Sequence, residues 1–310
     1  MNRNLRRLLV PIAVRLKKAA DAVVGRLAVL LLRAVRLTNP DTIANAAGAF
    51  MRRVGPWMRE NEIGRANLVA AFPEKSPDEI DAILAGAWDN LGRMAAEFAH
   101  LDRFRVRDPA RPGPAQIDYD DKTLALFQRL RDDGKPALIF ASHLGNWELP
   151  ALVASAYKLD TAILYRRPNL QGISDAIEEI RAGSMGTLVP GGPDAPYRLA
   201  RVLDRGGHVA MLVDQYYGKG VDVTFFGRTC KANPMFAILA RHYDCPIHGT
   251  RIVRLPGHHF RAELTDEITP PRDAKGRIDV QGTMQVITSV IEGWIREHPE
   301  QWLWQHRRWR

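Results

Sequence analysis

His143 and Glu148 stand five positions apart in the stretch Ala137-Leu138-Ile139-Phe140-Ala141-Ser142-His143-Leu144-Gly145-Asn146-Trp147-Glu148. Imidazole titrates near neutrality, so a histidine in such a place is a candidate general base. A carboxylate within reach can accept a hydrogen bond from the ring nitrogen that does not react, holding the ring and stabilising the imidazolium that forms. The two residues would not align on one straight helix, where facing neighbours are three or four apart. The apolar run before His143 has the composition of a strand, and Gly145 offers a bend from strand into helix. The pair is therefore expected at a strand end, where α/β sheets collect ligands and chemistry. Ser142 is a poor nucleophile candidate. Neighbours on a strand face opposite ways, and no Gly-x-Ser-x-Gly elbow surrounds it.

The elements that must position these groups read as alternating helix and strand from Thr123 onward. Helices are expected at 122–132, after Asn146, and at 171–183, 195–205, 233–243 and 281–298. Strands are expected at 136–142, 161–165, 187–189, 209–213, 221–226, 246–254 and 258–264. Repeated βα units predict an α/β fold with a largely parallel central sheet and helices on both faces. N-terminal helices precede it. Residues 1–60 read as helical with a break at Thr38-Asn39-Pro40-Asp41, where Asn39 or Asp41 can cap the next helix. Ser76-Pro77-Asp78-Glu79 marks a helix start, with a serine cap, a proline at the first helical position and acids in the first turn. Its apolar repeat, Ile80, Ile83, Leu84, Trp88, Leu91 and Met94, predicts a core-facing side and no chemistry. Residues 102–118 read as a loop with a short strand.

The chain carries a net charge of +9, unevenly placed. Arg3, Arg6, Arg7, Arg15, Lys17, Lys18, Arg26, Arg33 and Arg36 face a single acid, Asp21, before residue 37. Nucleic-acid binding is the first suggestion of a basic chain. Here the cations alternate with apolar residues such as Leu8, Leu9, Ile12, Val14 and Leu27–Leu32, a mixture that suits a helix lying on an anionic membrane surface. That run is too short for a membrane span, and no secretory cleavage pattern follows it. We therefore expect residues 1–40 to be a basic amphipathic membrane-associating segment and residues 41–310 to be the catalytic domain, with no nucleic-acid partner. The two cysteines, Cys230 and Cys245, make no disulfide framework, and their spacing to His242 and His248 matches no standard zinc pattern. No metal is expected. No dinucleotide or phosphate-loop motif is present, and no cofactor is expected.

The hexad His143-Leu-Gly-Asn-Trp-Glu148 resembles the His-x4-Asp/Glu motif of glycerolipid and lipid A acyltransferases. More narrowly, it is similar to the lipid A biosynthesis lauroyl/myristoyl acyltransferase family, whose usual form is His-(Phe/Leu)-Gly-Asn-Trp-Glu. Three further stretches fit that family in order. Arg65-Ala-Asn67-Leu68 through Phe72-Pro73-Glu74 resembles its Asn-Leu…Phe-Pro-Glu segment. Asp214-Gln215, Gly218, Gly220 and Phe225-Phe226-Gly227 resemble its Asp-Gln…Phe-Phe-Gly block. Gln301-Trp302-Leu-Trp304-Gln-His306-Arg307-Arg308-Trp309 resembles its Gln-Tyr-x-Trp-x-His-Arg-Arg-Phe ending. The chain departs from the family over Thr229–Met235, which bears on acceptor identity and acyl-chain selection.

The resemblance implies acyl transfer to a hydroxyl of an anionic lipid A precursor, from an acyl-carrier-protein thioester or else a coenzyme A thioester, at the cytoplasmic face of the inner membrane, peripheral or N-terminally anchored. His143 would take the hydroxyl proton and Glu148 would orient the imidazole. The oxyanion formed at the thioester carbonyl needs positioned donors. Candidates are the amides of Leu144 to Asn146, the Asn146 side chain, and an arginine. Arg167, before Pro168, and Arg181 match two arginines of the family and could pair with the oxyanion or a lipid phosphate. Asp214 and Gln215 end a strand on the same sheet edge as His143, where they could hold the acceptor or brace an arginine. Gly218-Lys219-Gly220 reads as a mobile loop or a polar hairpin tip. Trp302 and Trp304 are expected in the core, Trp309 and Arg310 at a membrane interface. The rival readings are an acyltransferase on another acceptor (a lysophospholipid, glycolipid or aminolipid), a non-catalytic lipid-binding protein of the same fold, and a serine hydrolase built on Ser142.

Overall fold

The computed structural model describes residues 23–110, 113–166, 171–183 and 185–310, with the side chains of 171–175 outside the description. The basic residues before Val23 lie outside it, as does Arg167. The first described helix, α1, covers residues 23–36, and α2 is Pro40–Val54. The break between them is where the chain chemistry places it. Asn39 caps α2 through its side-chain oxygen, which accepts from the amides of Asp41 and Thr42, and Pro40 opens the helix. After α3 (Arg59–Ala71), α4 runs Pro77–Phe98 from a reciprocal cap. The Ser76 hydroxyl accepts from the Glu79 amide while the Glu79 carboxylate accepts from the Ser76 amide. Ile80, Leu84, Trp88 and Met94 of α4 are buried, with Ile83 and Leu91 packed beside them.

From residue 117 onward strands and helices alternate: β1 (Ile117–Asp118), α5 (Asp121–Asp132), β2 (Leu138–Ala141), α6 (Leu149–Ala156), β3 (Thr161–Tyr165), α7 (Gln171–Ala182), β4 (Thr187–Pro190), α8 (Ala195–Asp204) and β5 (His208–Leu212). Then come β6 (Tyr216–Phe225), β7 (Arg228–Ala232), α9 (Met235–Tyr243), β8 (Ile247–Leu255), β9 (His259–Leu264) and α10 (Val280–Glu297). Seven strands form one sheet in the order β1-β9-β8-β2-β5-β3-β4. Every pair in it is parallel except β8 with β9. The expected α/β class and covered parallel sheet are thus what the chain forms.

Alternation along the strands divides the core. Leu138 and Phe140 of β2 pack with Val209, Phe236 and Trp294 on the side of α8, α9 and α10. Phe140 stacks on Trp294 and meets Phe236 edge-on. On the other face Leu149, Leu152 and Val153 of α6 pack with Leu126 and Leu130 of α5 and with Ala262 and Leu264 of β9. Each fully buried Leu, Val or Phe side chain contributes about 1.5–3 kcal/mol, so both faces of the central strands are held. That fixes the direction in which β2 delivers His143.

β6 and β7 stand apart as a two-stranded antiparallel sheet. The 221–226 segment expected to be one strand is longer, beginning at Tyr216, and β7 was not anticipated. Gly218-Lys219-Gly220 is neither a loop nor a hairpin tip. It lies within β6, at the irregularity where pairing shifts between Tyr216 and Val221. The tip of the hairpin is Phe226-Gly227, both at positive φ, a backbone that matches tight hairpins.

Candidate active site

β2 and β5 are adjacent and parallel, with Ala141 opposite Leu212. Their extensions past the sheet therefore run side by side, and they carry His143 and Asp214. The Asp214 carboxylate accepts from His143 twice, from ring Nδ1 at 2.7 Å and from the main-chain amide at 2.7 Å. Its second oxygen also accepts from the Trp302 indole at 2.8 Å. Burial works to raise the Asp214 pKa, but the charge and hydrogen bonds of His143 outweigh it and, with His306 nearby, hold the carboxyl well below the usual range. An ionised Asp214 requires the proton on Nδ1, leaving the lone pair on Nε2. The Gln215 side-chain nitrogen lies 3.2 Å from Nε2 and donates to it. Trp147 meets the ring edge-on at 5.0 Å between centroids. The arrangement is an imidazole fixed in one tautomer with its basic nitrogen turned to a pocket.

The carboxylate that holds the ring is not the one expected. Glu148 makes two hydrogen bonds to Arg181 instead, at 2.6 Å and 2.9 Å. The bend at Gly145 exists and does bring Glu148 into the same pocket as His143. What the spacing could not reveal is that Asp214, some seventy residues away in sequence, reaches Nδ1 first because β5 pairs directly with β2. For Asp214, expected to hold the acceptor or brace an arginine, the contacts described are with His143 and Trp302.

The loop after His143 is fastened from behind. Gly145 has φ +61°, and a Cβ there would sit 2.1 Å from the Ile252 carbonyl oxygen, so only glycine fits. Its amide donates to the Gln301 carbonyl at 2.9 Å, and the Leu303 amide donates to the His143 carbonyl at 3.1 Å. Asn90 donates to the carbonyls of Gly145 and Gln301. Asn146 is fully buried, and its side-chain nitrogen donates to Glu97 at 2.8 Å. Glu97 is itself clasped by both terminal nitrogens of Arg254, whose Nε donates to Asn90. Two of the expected oxyanion donors, the Asn146 side chain and the Gly145 amide, are thus spent on holding the loop. Glu97, Asn90 and Arg254 carried no motif by which they could have been singled out. The one available signal was Glu97 itself, a charge in the apolar end of α4.

The pocket beside Nε2 has a volume of about 440 Å³. Ile139 and Ala141 of β2, Ile163 of β3, Ala210 and Leu212 of β5, and Ala151 and Ala154 of α6 form its apolar wall. His143, Glu148, Arg166, Arg181 and Gln215 supply its polar groups, and Asn233 from the divergent Thr229–Met235 stretch also lines it. Arg181 lies between the rings of Phe98 and Tyr165, each 5.5 Å from the guanidinium carbon, a placement worth about 0.5–2 kcal/mol. Such a cavity has room for an apolar group, with an imidazole and a guanidinium at its polar end.

Ser142 is not among the residues that line this pocket. Its hydroxyl is buried and has no hydrogen-bond partner among the described residues, so no base activates it. Among the described residues no group of three or more His, Cys, Asp and Glu side chains could hold a metal ion. Trp302 and Trp304 are in the core as expected. Trp309 is partly buried: it stacks on Phe225 at 5.4 Å and donates to that residue's carbonyl. The Arg310 guanidinium lies over the Tyr216 ring at 5.3 Å.

A fold with both faces of a parallel sheet covered, carrying a His-Leu-Gly-Asn-Trp-Glu turn at a strand end above an apolar pocket, defines an acyltransferase class of protein. The chain belongs to the bacterial lipid A biosynthesis acyltransferase family, whose profile matches residues 15–310. A comparison with curated proteins finds no match.

Proposed function

We propose that this acyltransferase moves a fatty acyl chain from an acyl-carrier-protein thioester to a hydroxyl of a lipid A precursor, with His143 as general base. The observation that carries the reading is the pocket of about 440 Å³ lined by His143 and Gln215, with His143 Nδ1 held by Asp214 and its Nε2 toward Gln215. The acyl chain lies along Ile139, Ala210 and Ala154, and its thioester carbonyl sits at the polar end. The acceptor hydroxyl takes the place of the Gln215 amide at Nε2. As its proton passes to Nε2, its oxygen attacks the carbonyl carbon. The C–O bond forms, the C–S bond breaks, and the thiolate leaves with the proton from the imidazolium. Asp214 stabilises the charged ring throughout. Gln215 and Arg181 are the side-chain donors for the oxyanion, and Glu148 holds Arg181 in the two-point geometry that suits it.

Two features support a site at the cytoplasmic face of the inner membrane. Both proposed substrates are anionic and the chain is strongly basic. α1 leaves Val23, Val24, Leu27, Leu30 and Leu31 exposed, a helical stripe flanked by Arg26 and Arg33. Among the described residues no helix is long and apolar enough to cross a membrane. Mass spectrometry of lipid extracts from cells with and without the gene tests the proposal. A gain of one acyl chain on lipid A is expected. An unchanged lipid A with a new acyl chain on another lipid would move the acceptor to one of the rivals. Purified protein offered acyl-carrier-protein and coenzyme A thioesters decides the donor.

The pocket also predicts chain selection. Ile139 pairs with Ala210 one pleat repeat, about 7 Å, below Ala141 and Leu212, farther from the base. Ala210→Leu should therefore shorten the space without touching the catalytic groups. Donors with shorter chains should gain in relative kcat/KM, by about 10–200-fold for the loss of one or two methylene sites. An unaltered length preference, measured with donors of graded chain length, would place the acyl chain elsewhere.

A further inference from the structure

The C-terminal segment crosses the back of the catalytic strand end. Leu144 forms an antiparallel bridge with Trp302, and the chain then turns so that the Trp302 indole meets Asp214. Trp302 is 1% exposed and packs edge-on against Trp304 at 4.7 Å and against His306 at 5.1 Å. Asp214 accepts three hydrogen bonds, two from His143 and one from Trp302. The indole is thus the carboxylate's one donor from outside the histidine among the contacts described. From these contacts we infer that Trp302 is a positioning residue of the acyl-transfer reaction, fixing the rotation and basicity of Asp214 and through it the tautomer of His143.

The physical grounds are independent of the family. A buried carboxylate with three donors has its charge spread over them, and each donor to a charged group weighs more than a neutral one. Removing the indole N–H leaves both oxygens to His143. The carboxylate can then rotate, and with less of its charge neutralised it pulls harder on the imidazolium. The acid limb of the pH–rate profile should move to higher pH, because the ring of the Asp214–His143 pair stays protonated further into the neutral range. The other charged or titratable groups near Asp214 are His306 and Arg308. Burial pushes the His306 pKa down, and its Nδ1 donates to the Leu303 carbonyl. Burial likewise lowers that of Arg308, whose Nη1 donates to the Lys231 carbonyl. Both remain in place in the variant, so the shift reports the indole.

The inference rests on His143 being the general base, and the experiment separates the two. Turnover of an acyl-carrier-protein thioester with a lipid A precursor is followed across pH for wild type, Trp302→Phe, Trp302→Tyr and Trp304→Phe. Trp302→Phe should lower kcat roughly tenfold, the scale of one lost hydrogen bond to a charged group, with acceptor KM unchanged. Its acid limb should move up by roughly half to one unit. Trp302→Tyr, which keeps a donor, should recover most of both. Trp304→Phe is the control for loosened packing: that indole is equally buried but donates to the Pro299 carbonyl, not to Asp214. If Trp302→Phe does not fold, a benzothienylalanine at position 302 removes the N–H at constant shape and gives the same readout. An unshifted profile in the donor-less variant, or an equal shift in Trp304→Phe, overturns the positioning role. Turnover retained by His143→Ala would instead overturn the general-base reading itself.

Discussion

Replacing His143 with alanine is expected to lower acyl transfer by roughly 10²–10⁴-fold, the usual contribution of a positioned general base. No other imidazole is placed to take over: His306, 6.5 Å away between ring centroids, is not among the residues that line the pocket. Asp214→Asn should cost nearly as much. An amide can face Nδ1 with its NH2 group, which forces the ring proton to Nε2 and abolishes the base. The same inversion of tautomer accounts for losses of about 10⁴-fold where a triad aspartate is replaced by asparagine. Glu148→Gln should fall short of both, because Glu148 acts on Arg181 and touches neither ring nitrogen. Arg181→Lys should resemble Glu148→Gln, since lysine lacks the planar fork. Single-turnover rates of the four purified variants, each with wild-type circular dichroism, make the comparison. A Glu148→Gln loss equal to that of Asp214→Asn, beside an unimpaired Arg181→Lys, would restore the ring-holding role to Glu148.

That reversal of partners marks the boundary of what residue order can reveal. The helix caps at Asn39 and Ser76 and the strands 161–165 and 187–189 were legible because caps, apolar period and punctuation are local. The covered parallel sheet followed from the βα alternation. The position of His143 followed too, since an apolar run ending in a polar residue is a strand end. Its carboxylate did not follow. Which acid reaches Nδ1 depends on strand order, and β5 is inserted between β2 and β3 although it follows β4 in sequence. Nothing in the spacing of the chain encodes that insertion. The Trp302 indole escaped for the same reason, having been read only as a core aromatic. β7 escaped for another: Arg228-Thr229-Cys230-Lys231-Ala232 has little apolar character, and its pairing with β6 is fixed by the Phe226-Gly227 turn.

Glu97→Ala should be the most destabilising single change near the site, although Glu97 touches no reacting atom. The Glu97 carboxylate is 1% exposed and gathers two nitrogens of Arg254 and the side-chain nitrogen of Asn146. Removing it leaves Arg254, whose side chain is only 12% exposed, without its counter-charge. Breaking a buried ion pair from one side typically costs about 3–5 kcal/mol, because the remaining charge stays desolvated. Asn146 would also lose its acceptor, a further penalty for a buried amide. Denaturant unfolding of wild type and variant measures the change as a shift in midpoint at constant slope. Glu97→Gln should cost less, since an amide oxygen can still accept from Arg254. The loss should appear in the chemistry as well. Arg254, Asn90 and Gln301 are linked to Gly145, whose bend aims His143. At denaturant-free conditions, where the variant remains folded, its rate should therefore drop while the acyl-length preference set by the pocket wall does not change. A Glu97→Ala protein as stable and as active as wild type would mean that the Gly145 turn, together with its amide bond to Gln301, is sufficient to hold the catalytic histidine without the buried pair behind it.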